Sequence, residues 1–154
     1  MAMTLGSMHV HETMTEEQLM DYPCHFVGEN GTSLYDPEWE DPMALHEAAG
    51  ALSAETGMDV LAFYCFDEDA VGLTLLQDGI PVAECAASAY EELAQEPRNV
   101  GAIAEAFAID DPGGARLLSI LQPDVPVDAC IAQLEAYLGL HLLPDVDLLG
   151  AMYE

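Results

Sequence analysis

His9-x-His11 and Cys24-His25 offer four side chains of the kind that zinc accepts. Asp67-x-Asp69-x-x-Gly72, with Asp78 in the twelfth place, overlaps the pattern of a calcium loop. Neither pattern is complete. Val71 and Leu75 stand where oxygen ligands belong, and adjacent Cys24 and His25 would point to opposite faces of a strand. No metal or other cofactor is expected. A nucleophilic thiol at Cys24, Cys65, Cys85 or Cys130 would need a positive neighbour to lower its pKa, and the chain has only Arg98 and Arg116 to give. Carboxylate pairs such as Glu16-Glu17, Glu91-Glu92 and Asp110-Asp111 are too common here to mark a cleft, and Gly113-Gly114 lacks the Lys of a phosphate loop. His46 and His141 sit beside apolar positions and are expected to pack. Together these patterns predict a protein without enzymatic activity.

The strong signal is charge. Two Arg, no Lys and 29 acidic residues give a formal charge of −27 on 154 residues, where a small domain ordinarily carries about 2 to 8 in magnitude. Nucleic acids and anionic membranes need cations to neutralise phosphate, so both are excluded as partners. With 51% of residues apolar, the chain can still bury a core. Three uses of the charge compete: adaptation to high salt, plain solubility, and steering of a basic protein partner. The eight Met and four Cys speak against a halophile. Tyr35, Asp36, Glu38, Trp39, Glu40 and Asp41 interleave aromatics with carboxylates, the composition of a hot spot facing Arg and Lys. Asp67, Glu68 and Asp69 form a second acidic cluster on the same expectation. The competing reading has Trp39 packing a loop over the core.

These residues must be carried by elements that the patterning predicts. Gly6-Ser7-Met8 has the look of an expression scar, so residues 1–7 are set aside and a single domain is assigned to 8–154. Asn30-Gly31 predicts a hairpin turn between Cys24–Glu29 and Thr32–Tyr35. Asp41 as N-cap, Pro42 at the first helical position and Gly57 beyond the end bound a helix. Met58–Asp67, Val71–Leu76 and Ile80–Glu84, the last two joined by Asp78-Gly79, predict a β-meander. Beyond Ser88 the period becomes helical: Asn99 caps one helix, Asp111-Pro112 opens another, and a third runs from Val127 or Asp128 to Gly139. The expected fold is α+β, a small antiparallel meander with helices packed on one face and a helical C-terminal half. No apolar run approaches the ~18 residues of a membrane span and no export signal is visible, so a cytoplasmic location and thiols without disulfides are expected.

A strand ending in Phe66-Asp67-Glu68-Asp69, then Leu73-Thr74-Leu75, Asp78-Gly79 and finally Leu134-x-x-Tyr137-Leu138-Gly139-Leu140 resembles the small acidic immunity proteins of bacterial polymorphic or contact-dependent toxin systems. The resemblance covers residues 58–142. It implies a protein that acts stoichiometrically by binding, without cofactor or turnover, and neutralises a basic toxin such as a nuclease. The alternative is an acidic or halophile-adapted domain that dimerises or binds a small ligand.

Overall fold

The computed structural model describes residues 4–22, 24–66, 70–88, 97–122 and 126–143. Alternation along strand β1 (Thr4–Val10) sends Met8 and Val10 into one core, while Leu5, Ser7 and His9 are buried on the other side. This strand lies in the middle of a six-stranded antiparallel sheet. Thr4–Ser7, set aside from the sequence as a scar, form its first half. A short helix α1 (Glu16–Leu19), closed by a Thr15–Gln18 capping box, leads to hairpin strands β2 (Cys24–Gly28) and β3 (Gly31–Tyr35). The hairpin forms, with its turn at Glu29-Asn30 rather than Asn30-Gly31: Gly31 already pairs with Gly28. Gly31 has φ +144°, and a Cβ there would stand 2.0 Å from the Val10 carbonyl oxygen, so crowding by β1 fixes the residue type as well as the turn.

After a single 3₁₀ turn (Pro37–Glu40), helix α2 (Pro42–Thr56) begins and ends as its sequence predicts. The Asp41 carboxylate accepts from Met43 N at 3.0 Å, and Gly57 ends the helix in the left-handed conformation. The meander follows as β4 (Val60–Phe66), β5 (Ala70–Gln77) and β6 (Ile80–Ser88), completing the spatial order β2-β3-β1-β4-β5-β6. Beyond the meander the described residues form three more α-helices: α3 (Gly101–Ala106), α4 (Ala115–Ile120) and α5 (Val127–Leu138). Asn99 does not cap α3. It takes φ +53° and donates from Nδ2 to the Val82 carbonyl, tying the helix to β6 instead. Asp111 and Pro112 open a 3₁₀ turn (Pro112–Gly114) rather than α4 itself, and the Asp111 carboxylate reaches past it to accept from Arg116 N and Leu117 N in the first turn of α4 at 3.0 and 3.1 Å.

The fold is α+β with an antiparallel sheet and a helical C-terminal half. The expectation that the helices pack on one face is corrected, because they cover both: α3, α4 and α5 share one, through Ile103, Phe107, Leu117, Ile131 and Leu134 against Leu61, Phe63, Val71 and Leu73. Helix α2 takes the other face, where Leu45, Ala49 and Leu52 pack on Met8, Val10, Val60, Ala62 and Leu76. Strand β1 makes this second core possible. With β1 present, the sheet is wide enough for apolar side chains to leave from both sides, and each set must be removed from water. No helix among the described residues is long and apolar enough to cross a membrane.

Candidate functional site

Helix α2 covers its face of the sheet unevenly. Its apolar stripe sits over β1, the near half of β4 and the Leu76 end of β5, so the far ends of β4, β5 and β6 are left as a groove of about 500 Å³. Strand register sets what lines it. Gly6, Tyr64, Gly72 and Ala86 form one cross-strand row, and Thr4, Phe66, Ala70 and Ser88 form the next. Of the residues lining the groove, Ala62, Ala70, Gly72, Thr74 and Ala86 are small, and Tyr64, Phe66, Pro42 and His46 rise around them. The two glycines flanking Tyr64 differ in kind. A Cβ on Gly6 would stand 2.4 Å from the Trp39 carbonyl oxygen, whereas a Cβ on Gly72 would meet nothing within 4 Å. Gly6 admits the 3₁₀ turn to the sheet; Gly72 leaves open space in the groove.

Carboxylates stand beside the Tyr64 wall of this space. Tyr64 Oη donates to the Glu40 carbonyl at 2.8 Å, fixing the wall beside exposed Glu40 and Asp41. Burial first, then Cys65 and the negative charges of Asp41 and Glu40, push the Tyr64 phenol above its ordinary pKa. On β6 Glu84 pairs with Arg98 at 3.7 Å, and backbone bonds between the same two residues extend the β6 edge. Burial lowers the His46 pKa while Glu84 opposes the shift. The site thus joins an aliphatic and aromatic surface to a negative rim, an arrangement that can desolvate an apolar side chain and attract cations around it.

The sequence-predicted cluster is divided by the fold. Tyr35 is wholly buried on the α3–α5 face, its hydroxyl donating to the His141 carbonyl. Trp39 is 4% exposed and packs within the α2-face core, edge-on to Tyr22 at 6.0 Å between ring centres. Neither aromatic is offered to a partner, because strand alternation turns Tyr35 inward and the 3₁₀ turn folds Trp39 back on the sheet. Asp36 caps that turn by accepting from Glu38 N at 2.9 Å. Glu38, Glu40 and Asp41 are exposed. Asp67, Glu68 and Asp69 lie outside the described residues, although Phe66 and Ala70 on either side of them both line the groove.

The candidate metal ligands are not gathered. His9 is fully enclosed, with Nε2 2.7 Å from Ser7 Oγ and Nδ1 2.7 Å from Ser33 Oγ. Ser7 donates to the Leu142 carbonyl, so it accepts from Nε2–H and leaves Nδ1 to accept from Ser33. Burial, helped by His141, pushes the His9 pKa down to about 3, which holds the ring neutral. His11 Nδ1 faces the Asn30 carbonyl at 3.0 Å, Cys24 is buried, and His25 is exposed on the opposite face of β2. Among the described residues no group of three or more His, Cys, Asp or Glu could hold a metal ion. None of the four cysteines is in a disulfide, and burial pushes the thiols of Cys65, Cys85 and Cys130 up to about 11, about 12 and about 11, away from nucleophilic chemistry.

Sequence reasoning missed the groove and the enclosed histidine. A signal for the groove was present in Ala70-x-Gly72-x-Thr74, small residues alternating with the large Val71, Leu73 and Leu75. A second cleft, about 670 Å³ between β2 and α5, includes Glu135, but that carboxylate already accepts from Leu142 N at 3.0 Å and holds the segment after α5. Compared with protein-family models, curated proteins and solved structures, the chain matches none.

Proposed function

We propose that this is a non-enzymatic acidic binding protein that neutralises a basic protein partner, in the manner of an immunity protein bound to a nuclease-like toxin. The observation that carries the reading is the imbalance of 29 acidic residues against two Arg. Neither Arg offsets it as a basic patch: Arg98 is paired with Glu84, and Arg116 stacks over the Tyr137 ring at 5.3 Å. A field of one sign accelerates encounter with a cationic surface and disfavours anionic competitors. It would also oppose the phosphate-binding surface of a nuclease directly.

The test is retention of proteins from the source organism's lysate on the immobilised chain, washed in parallel at low and high salt, followed by reconstitution with the purified candidate. A single basic protein, bound one to one, weakened by salt and inhibited in its own activity, supports the reading. An assortment of cationic proteins, none inhibited, would reduce the charge to a surface adaptation.

A further inference from the structure

We propose that the groove between α2 and the β4–β6 end of the sheet is the anchor point of that partner, and that it takes one large apolar side chain from a polypeptide segment otherwise rich in Lys and Arg. The inference rests on the proposed function and goes further by fixing where and how the partner is held.

Among the described residues the groove is an unfilled part of the α2-face core. On the α3–α5 face Phe63, Val71 and Leu73 are buried, but their neighbours in sequence, Tyr64, Gly72 and Thr74, remain half-exposed on the α2 face. Phe66 is 44% exposed at the far end. The open space above Gly72 is backbone floor, and about 500 Å³ lies within the range of sites that enclose a compact ligand or one or two large side chains. Filling it would remove water from Tyr64 and Phe66, the type of desolvated aromatic contact that dominates binding energy.

The rim chooses among occupants. Glu40 and Asp41 lie beside the Tyr64 wall, while Glu84, near His46, is already paired with Arg98, in a protein of charge −27. A second copy would bring a like field and like rim charges to the contact, which opposes self-association. An acidic ligand meets the same repulsion. A segment with Lys or Arg beside its apolar anchor pairs with the carboxylates while the anchor enters the groove, so that charge accelerates arrival and the buried side chain slows departure.

Binding of three short amidated peptides is measured by fluorescence anisotropy: alternating Lys and Ser around a central Trp, the same peptide with Ser replacing Trp, and a Glu-for-Lys version that keeps Trp. The wild-type chain is compared with Gly72→Leu, which projects a side chain into the open space. The Lys/Trp peptide is expected to bind, to lose about tenfold or more in affinity when Trp is removed or Gly72→Leu is introduced, and to weaken as salt rises to about 0.5 M. On the wild-type chain, NMR shifts on binding should centre on the Tyr64 and Phe66 rings, a readout that stands even if Gly72→Leu does not fold.

Binding of the Lys/Trp peptide unaffected by Gly72→Leu, with shifts elsewhere, overturns the groove and leaves the basic-partner reading intact. Equal binding of the Glu/Trp peptide overturns the charge selection. Self-association in sedimentation that Gly72→Leu abolishes would make a second copy the occupant and overturn the proposal. No binding of any peptide overturns the anchor, while the proposed function is decided separately by retention of the intact partner.

Discussion

On one face of the sheet Leu61, Phe63, Cys65, Val71 and Leu73 are each 2% exposed or less beneath three helices. On the other face Tyr64, Ala70, Gly72 and Thr74, which alternate with them, are only half covered by the single helix α2. The same strands thus run through a finished core and an unfinished one. The difference follows from length and placement: α2 lies across β1, β4 and the Leu76 end of β5, and no described element crosses the face beyond Tyr64. A closed face contributes stability; a face left open at one end keeps apolar surface for something else.

Substitutions can break this contrast. Phe63→Ala on the closed face should cost about 3–5 kcal/mol in chemical denaturation, and Tyr64→Ala on the open face less than half of that; equal losses would mean that the groove is closed in solution. The next largest effect is expected from pH. His9 belongs to the closed face, and its folded pKa of about 3 lies below the unfolded value of 6.5. Its contribution is complete above pH 6.5 and is lost as pH falls toward 3, because the unfolded chain takes up the proton first, at about 1.4 kcal/mol per pH unit. Protonation of the many carboxylates acts in the opposite direction by relieving repulsion, so the measurement is the difference between wild type and His9→Gln over that window. An identical slope for the two would show that His9 is not enclosed.

The paired glycines sharpen the comparison at smaller scale. Gly6→Ala drives a Cβ into the Trp39 backbone and should destabilise by about 1–3 kcal/mol. Gly72→Ala meets open space and should be neutral or stabilising by up to about 1 kcal/mol, since Ala restricts the unfolded chain. Thermal melts that ranked them the other way would contradict the groove. The smallest effect belongs to Glu38→Gln with Glu40→Gln, both exposed. Stability should change by no more than about 0.5 kcal/mol, whereas association with a basic partner should slow measurably in stopped flow.

Local chemistry explains what was legible in the sequence. Asp41, Pro42 and Gly57 bounded α2, and Asp78-Gly79 placed the β5–β6 turn, because caps and tight turns are decided by residues adjacent in the chain. Long-range pairing was not legible. Nothing near Gly6-Ser7-Met8 announces that β1 lies between β3 and β4, and without β1 the second face and its groove have no reason to exist. The acidic character was legible in composition, but not which carboxylates share a face. Tyr35 and Trp39 are inside because alternation and a backfolded turn put them there, as the competing reading of Trp39 had it, while Phe66 in the most apolar stretch supplies an exposed ring and Tyr64 a partly exposed one.

The place of β1 also orders the folding reaction. The β2–β3 hairpin and the β4–β6 meander each join strands adjacent in sequence and can form by local loop closure, but they touch one another in the sheet only through β1. A strand that precedes both units must find its two neighbours after each has a usable edge, a non-local step that sets a slow rate. Amides of β1 should therefore gain protection from hydrogen exchange late in refolding, together on both sides, like the closing of a zip between two finished halves.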